Sequence, residues 1–296
     1  MIYQSFKFHA MGGPCELKLY AESAQAVETA AEAAMAEVQR IETKYSRYRD
    51  DSIVSRINKL AGRSGVVVDD ETAALLNYAN TAFEQSDGLF DITSGVLRKV
   101  WDFTSGKLPQ PEALAECCQK IGWQRVVWNG SQCSLPEAGM EIDFGGFGKE
   151  YAADRAADIC REHGIAHGLV ELGGDIHVLG PHPDNSPWQI GLRNPRQPDQ
   201  AIDVVSISRG GLASSGDYER FMLVDGVRYS HLLNPFTGWP VASNLAQVSV
   251  LAPLCLVAGT GATVSMLKGE SGEAWLQTLT LPYVAVTPQG QISRRF

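Results

Sequence analysis

The chain is short of positive charge: 25 Lys and Arg stand against 34 Asp and Glu, a formal net charge of -9 over 296 residues. Without a basic field to neutralise a polyphosphate backbone, nucleic acid is excluded as an expected partner, and any phosphate site has to be local. The six cysteines include no C-x-x-C pair, and the adjacent Cys117 and Cys118 are poorly placed to bridge each other. They read as free thiols of a reducing compartment. The opening MIYQSFKFHAMGG alternates apolar and polar residues and lacks the basic-then-apolar order of a secretory signal, so the expected location is cytoplasmic. Long apolar runs are scarce as well. The uncharged stretch Val248 to Leu267 has the length of a membrane span, but Pro253, two glycines and several hydroxyls favour a strand, Gln247 to Leu251, followed by a helix from about Leu254. No membrane anchor is expected.

What is present is enough apolar residue, 44%, for one large core or two modest ones. Tyr3 to His9 and Glu16 to Tyr20 read as a hairpin joined through Gly12-Gly13-Pro14. From Ser23, a residue able to cap free amides, Val27, Ala30, Ala34, Val38, Ile41 and Tyr45 recur at helical intervals. A second helix, capped by Asp69 or Asp70, runs to about Glu84 and buries Leu75, Leu76, Ala79 and Phe83. A helix near Pro111 to Lys120 precedes two strands joined by Asn129-Gly130, and Tyr151 to Glu162 is again helical. Strands follow at Gly168 to Leu172, Ile176 to Leu179, Gln189 to Arg193 and Val204 to Ser208. Two more, Arg220 to Val224 and Val227 to Leu232, turn at Asp225-Gly226, and a tail hairpin turns at Pro288-Gln289-Gly290. There is no internal repeat and no low-complexity linker. Strands arriving in hairpins predict an α+β fold of mostly antiparallel sheets with packed helices, and residues 1–296 are expected to form a single catalytic domain.

Several glycine loops could carry chemistry. In DFGGFGKEYAADR, Gly145, Gly146 and Gly148 do not fit G-x-G-x-x-G, and no P-loop G-K-[ST] follows. Glycines before a helix still let backbone amides approach an anion, with Lys149 in the first turn; a purely steric turn uses the same residues. Asp91 and Thr93 in GLFDITSG either cap the next helix or face a ligand. Gly173-Gly174-Asp175 reads as a turn with a side chain bonded to its own backbone. Ser214-Ser215-Gly216-Asp217-Tyr218 lacks the G-x-S-x-G elbow of a serine hydrolase, which leaves its hydroxyls as hydrogen-bond donors to a ligand. The most specific stretch is YSHLLNPFTG, where His231 at a strand end precedes a Pro and Gly turn.

Taken together and in order, these pieces resemble the FAD:protein FMN transferases. The resemblance runs from Met11-Gly12-Gly13 through Ser46-Arg47-Tyr48-Arg49 with Ser52, GLFDITSG, DFGGFGKEYAAD, ELGGD, SSGDYER and SHLLNPFTGWP to AGTGAT, nearly the whole chain. It implies an enzyme that breaks the diphosphate of FAD with Mg²⁺, attaches FMN to a threonine of an acceptor protein and releases AMP. It also implies that Met11, Tyr48, Leu89, Phe90, Asp91, Gly145, Tyr151 and Leu233 line the FAD site and that His231 is the reactive histidine. Lys149 would help neutralise developing charge, while Gly148 and Thr263 would meet the metal through a backbone carbonyl and a hydroxyl or carbonyl. Two other activities need the same site: binding FAD without transfer, and hydrolysing it to FMN and AMP. The protein is expected as a monomer or homodimer.

The sequence also departs from the family. Gly259 occupies the place of an aspartate expected to bind metal, and Asn234 that of another aspartate. Losing an acid should weaken Mg²⁺ loading, so Gly259→Asp is expected to raise activity. Glu150 replaces a small residue beside the expected phosphate site; it either favours the helix dipole or restores a ligand.

Overall fold

A computed structural model describes all 296 residues. Its framework is an eight-stranded sheet: β1 (Ile2–Ala10), β2 (Gly13–Ala21), β3 (His167–Leu172), β4 (Asp175–Gly180), β5 (Gly210–Gly216), β6 (Gln247–Ala252), β7 (Tyr283–Val286) and β8 (Ile292–Arg295). Spatial order follows chain order, and every neighbouring pair is antiparallel. The α+β, mostly antiparallel architecture read from the sequence is thus the one observed.

Three helices cover one face: α1 (Ala24–Tyr45) over β1 and β2, α2 (Gly148–Glu162) over β3 and β4, and α3 (Cys255–Leu267) over β5 and β6. Ser23 caps α1 by accepting from the Ala26 amide at 3.2 Å, and the apolar stripe from Val27 to Tyr45 is buried, as its spacing predicts. Along β3, alternation splits the side chains: Val170 and Leu172 join the helix-side core, whereas Leu169 packs on the opposite face with Ile176, Val178 and Leu212. That opposite face is roofed by the hairpin Trp188–Arg193 and Ala201–Ile207, so the sheet centre is buried on both sides.

Three differences from the sequence reading have physical causes. The first hairpin turns at Met11-Gly12, both with positive φ (54° and 77°), and Pro14 lies inside β2 opposite His9. The strand β5 has no signal in the sequence, because GGLASSG has low strand propensity. Its small residues let α3 approach: a Cβ on Gly211 would stand 2.2 Å from the Cys255 amide nitrogen. A helix Ile53–Lys59, capped by Ser52, is too short to show a periodic stripe. The segment Val248 to Leu267 divides into β6 and α3 as expected, no helix is long and apolar enough to cross a membrane, and all six cysteines are free.

One side chain ties this face together. Asp154 on α2 accepts from the amides of Cys255 (2.7 Å) and Leu256 (3.0 Å), capping α3 from outside, and from His177 Nδ1 on β4 at 2.5 Å. All of this is buried, and α3 has no capping side chain of its own. Removing the carboxylate strands two amides and an imidazole N–H, so Asp154→Ala should lower unfolding free energy by about 3–5 kcal/mol. Urea denaturation checks this, and a loss below about 1 kcal/mol would contradict the capping role.

Candidate functional site

At the end of the sheet where β3 turns into β4, a cleft of about 1510 Å³ opens, lined by the first turn of α2 and, from the opposite face, by Leu169, Ile176, Leu212 and the roofing hairpin. Four turns converge on it because the sheet is a simple meander: the β3–β4 turn, the first turn of α2, the end of β5, and the segment after the hairpin Phe221–Val224 and Val227–Ser230. A fifth wall is the 3-10 helix Ile92–Lys99, which follows the GLFD loop.

Lys149 and His231 both line this cleft. Lys149 Nζ lies 2.8 Å from Asp175 Oδ2, an ion pair between α2 and the start of β4. Burial works against its charge, but Asp175 and Glu150 outweigh burial and hold the lysine protonated well above its ordinary range. Asp175 is itself buried, which raises its pKa against the pull of Lys149. Gly173 and Gly174, at φ 59° and 93°, form the tight turn that delivers it. Asp175 therefore reaches across to α2, where the sequence suggested a bond to its own turn.

His231 is half-buried at the end of its strand, and burial lowers its pKa, so the ring is neutral at neutral pH. Its Nδ1 faces the Arg220 carbonyl oxygen at 3.1 Å. A carbonyl only accepts, which places the proton on Nδ1 and leaves the Nε2 lone pair free to take a proton.

The other expected ligand-lining residues divide into two groups. Tyr48, Leu89, Phe90, Asp91, Gly145, Leu233 and Thr263 line the cleft. Tyr48 is 79% exposed at its mouth, its hydroxyl accepting from Arg47 at 2.8 Å, and Arg47 pairs with Asp143 behind it. Phe90 is buried on Phe147, with ring centroids 6.3 Å apart. Asp91 does cap: one oxygen accepts from the Thr93 amide and hydroxyl (2.7 and 2.6 Å), the other from the Trp123 amide at 2.9 Å. Met11, Gly148 and Tyr151 are not among the lining residues. Met11 Cε lies 3.9 Å from the point a Cβ on Gly148 would occupy, behind the first turn of α2. The Tyr151 hydroxyl donates to Glu71 at 2.7 Å, joining a network with Arg40 and Lys44 outside the cleft. Of the serine motif, Ser214 Oγ is bonded to Ser249 Oγ at 2.7 Å, and Asp217 is clamped by Arg196. Asn234 spends its side-chain oxygen on the amides of Phe236 and Thr237, a turn role.

No group of three or more His, Cys, Asp or Glu is placed to hold a metal. One carboxylate where α2 meets α3 is nevertheless unpartnered. Glu150 is buried in the first turn of α2, and its Oε2 has no hydrogen-bond partner. Burial first, and then Asp175, push its pKa upward. Gly148 lies two residues before it, and Thr263 lines the same cleft. An unpartnered carboxylate oxygen in a cleft that also carries the Thr263 side chain is the oxygen chemistry that suits a hard divalent cation completing its shell with phosphate and water. The structure also changes the expectation for Gly259→Asp: a Cβ there would meet Glu150 Oε1 at 2.4 Å, so the Glu150 side chain has to move aside before an aspartate fits.

A family model described as the ApbE family matches residues 11–285. The chain is similar to the FAD:protein FMN transferase of Treponema pallidum (strain Nichols), 32% identical over 278 residues, covering 88% of this chain and 77% of that protein. It is equally similar to the FAD:protein FMN transferase of Klebsiella pneumoniae (strain 342), 32% identical over 253 residues, covering 84% and 77%. Among solved structures, the ApbE protein of Thermotoga maritima MSB8 superposes with a TM-score of 0.89 at 31% identity, covering 99% of this chain and 97% of that one.

Proposed function

Because the chain belongs to the ApbE family, we propose that its cleft binds FAD and that the protein transfers FMN from it to a threonine of an acceptor protein, releasing AMP. FMN transfer from FAD to protein is the activity for which its relatives are named. The single observation that carries the finer reading is the meeting of a fixed cation, Lys149, with a neutral, base-competent imidazole, His231, in one cleft. Residues 1–296 are taken as one catalytic unit, a reading supported by a sheet that draws strands from both ends of the chain.

The threonine hydroxyl oxygen forms a bond to the FMN-side phosphorus while the bridging P–O bond breaks, and AMP departs with the bond's electron pair. The hydroxyl proton passes to His231 Nε2. Lys149, in the first turn of α2, faces the negative charge that builds on the leaving phosphate. Gly148 through its carbonyl and Thr263 would hold Mg²⁺, which when bound supplies charge neutralisation on the diphosphate. Tyr48 at the mouth and Phe90 and Leu233 inside give the isoalloxazine and adenine rings apolar and aromatic surface.

The test is incubation of the purified protein with FAD, Mg²⁺ and a threonine-bearing acceptor peptide, read by mass spectrometry. The expected result is a peptide heavier by one FMN, with AMP released in equal amount. Bound flavin with neither product would instead identify a binding protein, and FMN with AMP but unlabelled peptide a pyrophosphatase.

A further inference from the structure

We propose that Glu150 is the carboxylate ligand of a divalent-cation site shared with the Gly148 carbonyl and Thr263, and that residue 259 is glycine because the Glu150 carboxylate fills the space its side chain would need. The inference rests on reading the cleft as the place where a diphosphate is cleaved, and it names which acid holds the cation there.

Three observations lead to it. First, Glu150 is only 7% exposed and its Oε2 has no partner, although the side chain lines the cleft. A buried carboxylate oxygen without a donor is costly and calls for a counter-charge. Second, the neighbouring cation is committed: Lys149 Nζ is bonded to Asp175 at 2.8 Å. Glu150 Oε2 is therefore left with no cationic or hydrogen-bonding partner from the protein itself. Third, the position that would crowd this carboxylate has been emptied. A Cβ on Gly259 would lie 2.4 Å from Glu150 Oε1, 2.6 Å from its Cγ and 2.8 Å from its Cδ. Positions 259 and 263 are four apart on α3 and so share a face, which places the Glu150 carboxylate beside the turn that carries Thr263.

The sequence thus keeps one acid at this corner but hangs it from α2 instead of α3. Glu has one methylene more than Asp and starts from a different helix, so the two positions are coupled: a side chain at 259 competes with the Glu150 carboxylate for the same space. Mg²⁺ is commonly held by one or two carboxylates with substrate phosphate and water, so a single relocated acid is sufficient.

The experiment is a Mn²⁺ titration followed by electron paramagnetic resonance, with and without FAD, on the full-length protein. It is run on wild type, Glu150→Gln, Gly259→Asp and the double variant Glu150→Gly with Gly259→Asp, each checked for folding by circular dichroism. The expected result is that Glu150→Gln weakens Mn²⁺ binding on the order of 10–100-fold and that the double variant returns it to within about 5-fold of wild type. Gly259→Asp alone should bind Mn²⁺ no better than wild type. The inference is overturned if wild type binds no Mn²⁺ under either condition, or if Glu150→Gln binds it as wild type does. Should Glu150→Gln fail to fold, the double variant decides: a folded double variant that does not bind Mn²⁺ also overturns it. FAD binding, followed separately by quenching of flavin fluorescence, tests the underlying reading of the cleft, so the two failures are told apart.

Discussion

Replacing His231 with alanine should lower the rate of FMN transfer by about 10²–10⁴-fold while changing FAD affinity by no more than a few-fold. The split between rate and binding follows from the geometry. The ring is held by one bond, Nδ1 to the Arg220 carbonyl, which fixes the tautomer and turns a bare Nε2 outward. No other side chain in the structure bonds to this imidazole, so its loss strands no buried partner and the cleft keeps its shape. Burial lowers the pKa of His231, with the nearby Arg220 and Lys149 charges adding to the effect. A histidine whose pKa lies below its ordinary value stays unprotonated, and so able to accept the threonine proton, into mildly acidic solution. The acid limb of the pH–rate profile for wild type should therefore fall below the usual histidine range near pH 6.5, and in His231→Ala that limb should vanish. A variant retaining both the limb and the rate would remove His231 from the chemistry.

Most of the framework could be read from the residues, and the parts that could not share a cause. The stripe on α1, the Ser23 cap and the strand-to-helix junction at Pro253 are local signals: the atoms that decide them lie within a few residues of one another. The strand β5 is decided elsewhere. GGLASSG carries no strand preference of its own, and it becomes a central strand because α3 lies so close to Gly211 that any side chain there would collide with Cys255. The same division holds in the cleft. His231 and Lys149 stand out in a motif-by-motif reading, whereas Asp175 reads as an ordinary turn residue because its partner is 26 positions away. Glu150 and Gly259 could each be noticed alone as departures, but that one fills the space of the other is a fact about two helices packed together. The sequence-based expectation that an aspartate at 259 would help treated the two positions as independent, and the packing shows that they are not.

Lys149→Met should reduce FMN transfer by about 10²–10³-fold and also destabilise the fold, and a second substitution separates these two losses. Methionine keeps much of the lysine stem's volume and removes the charge, leaving Glu150 and Asp175 facing the cleft with no cation between them. Breaking a fully buried pair typically costs about 3–5 kcal/mol. Here the Lys149 side chain is 37% exposed and the Asp175 side chain 5%, so solvent screening reduces the expected loss to about 1–3 kcal/mol. Adding Asp175→Asn removes the uncompensated carboxylate, and the double variant should recover most of that stability in urea denaturation. It should not recover transfer, because the charge set against the leaving phosphate is still missing. If Lys149 served only to neutralise Asp175, the double variant would regain activity along with stability. Stability regained without activity would instead show that the ion pair aims the ammonium at the diphosphate, with Asp175 acting as the anchor that keeps a flexible four-carbon stem in one place.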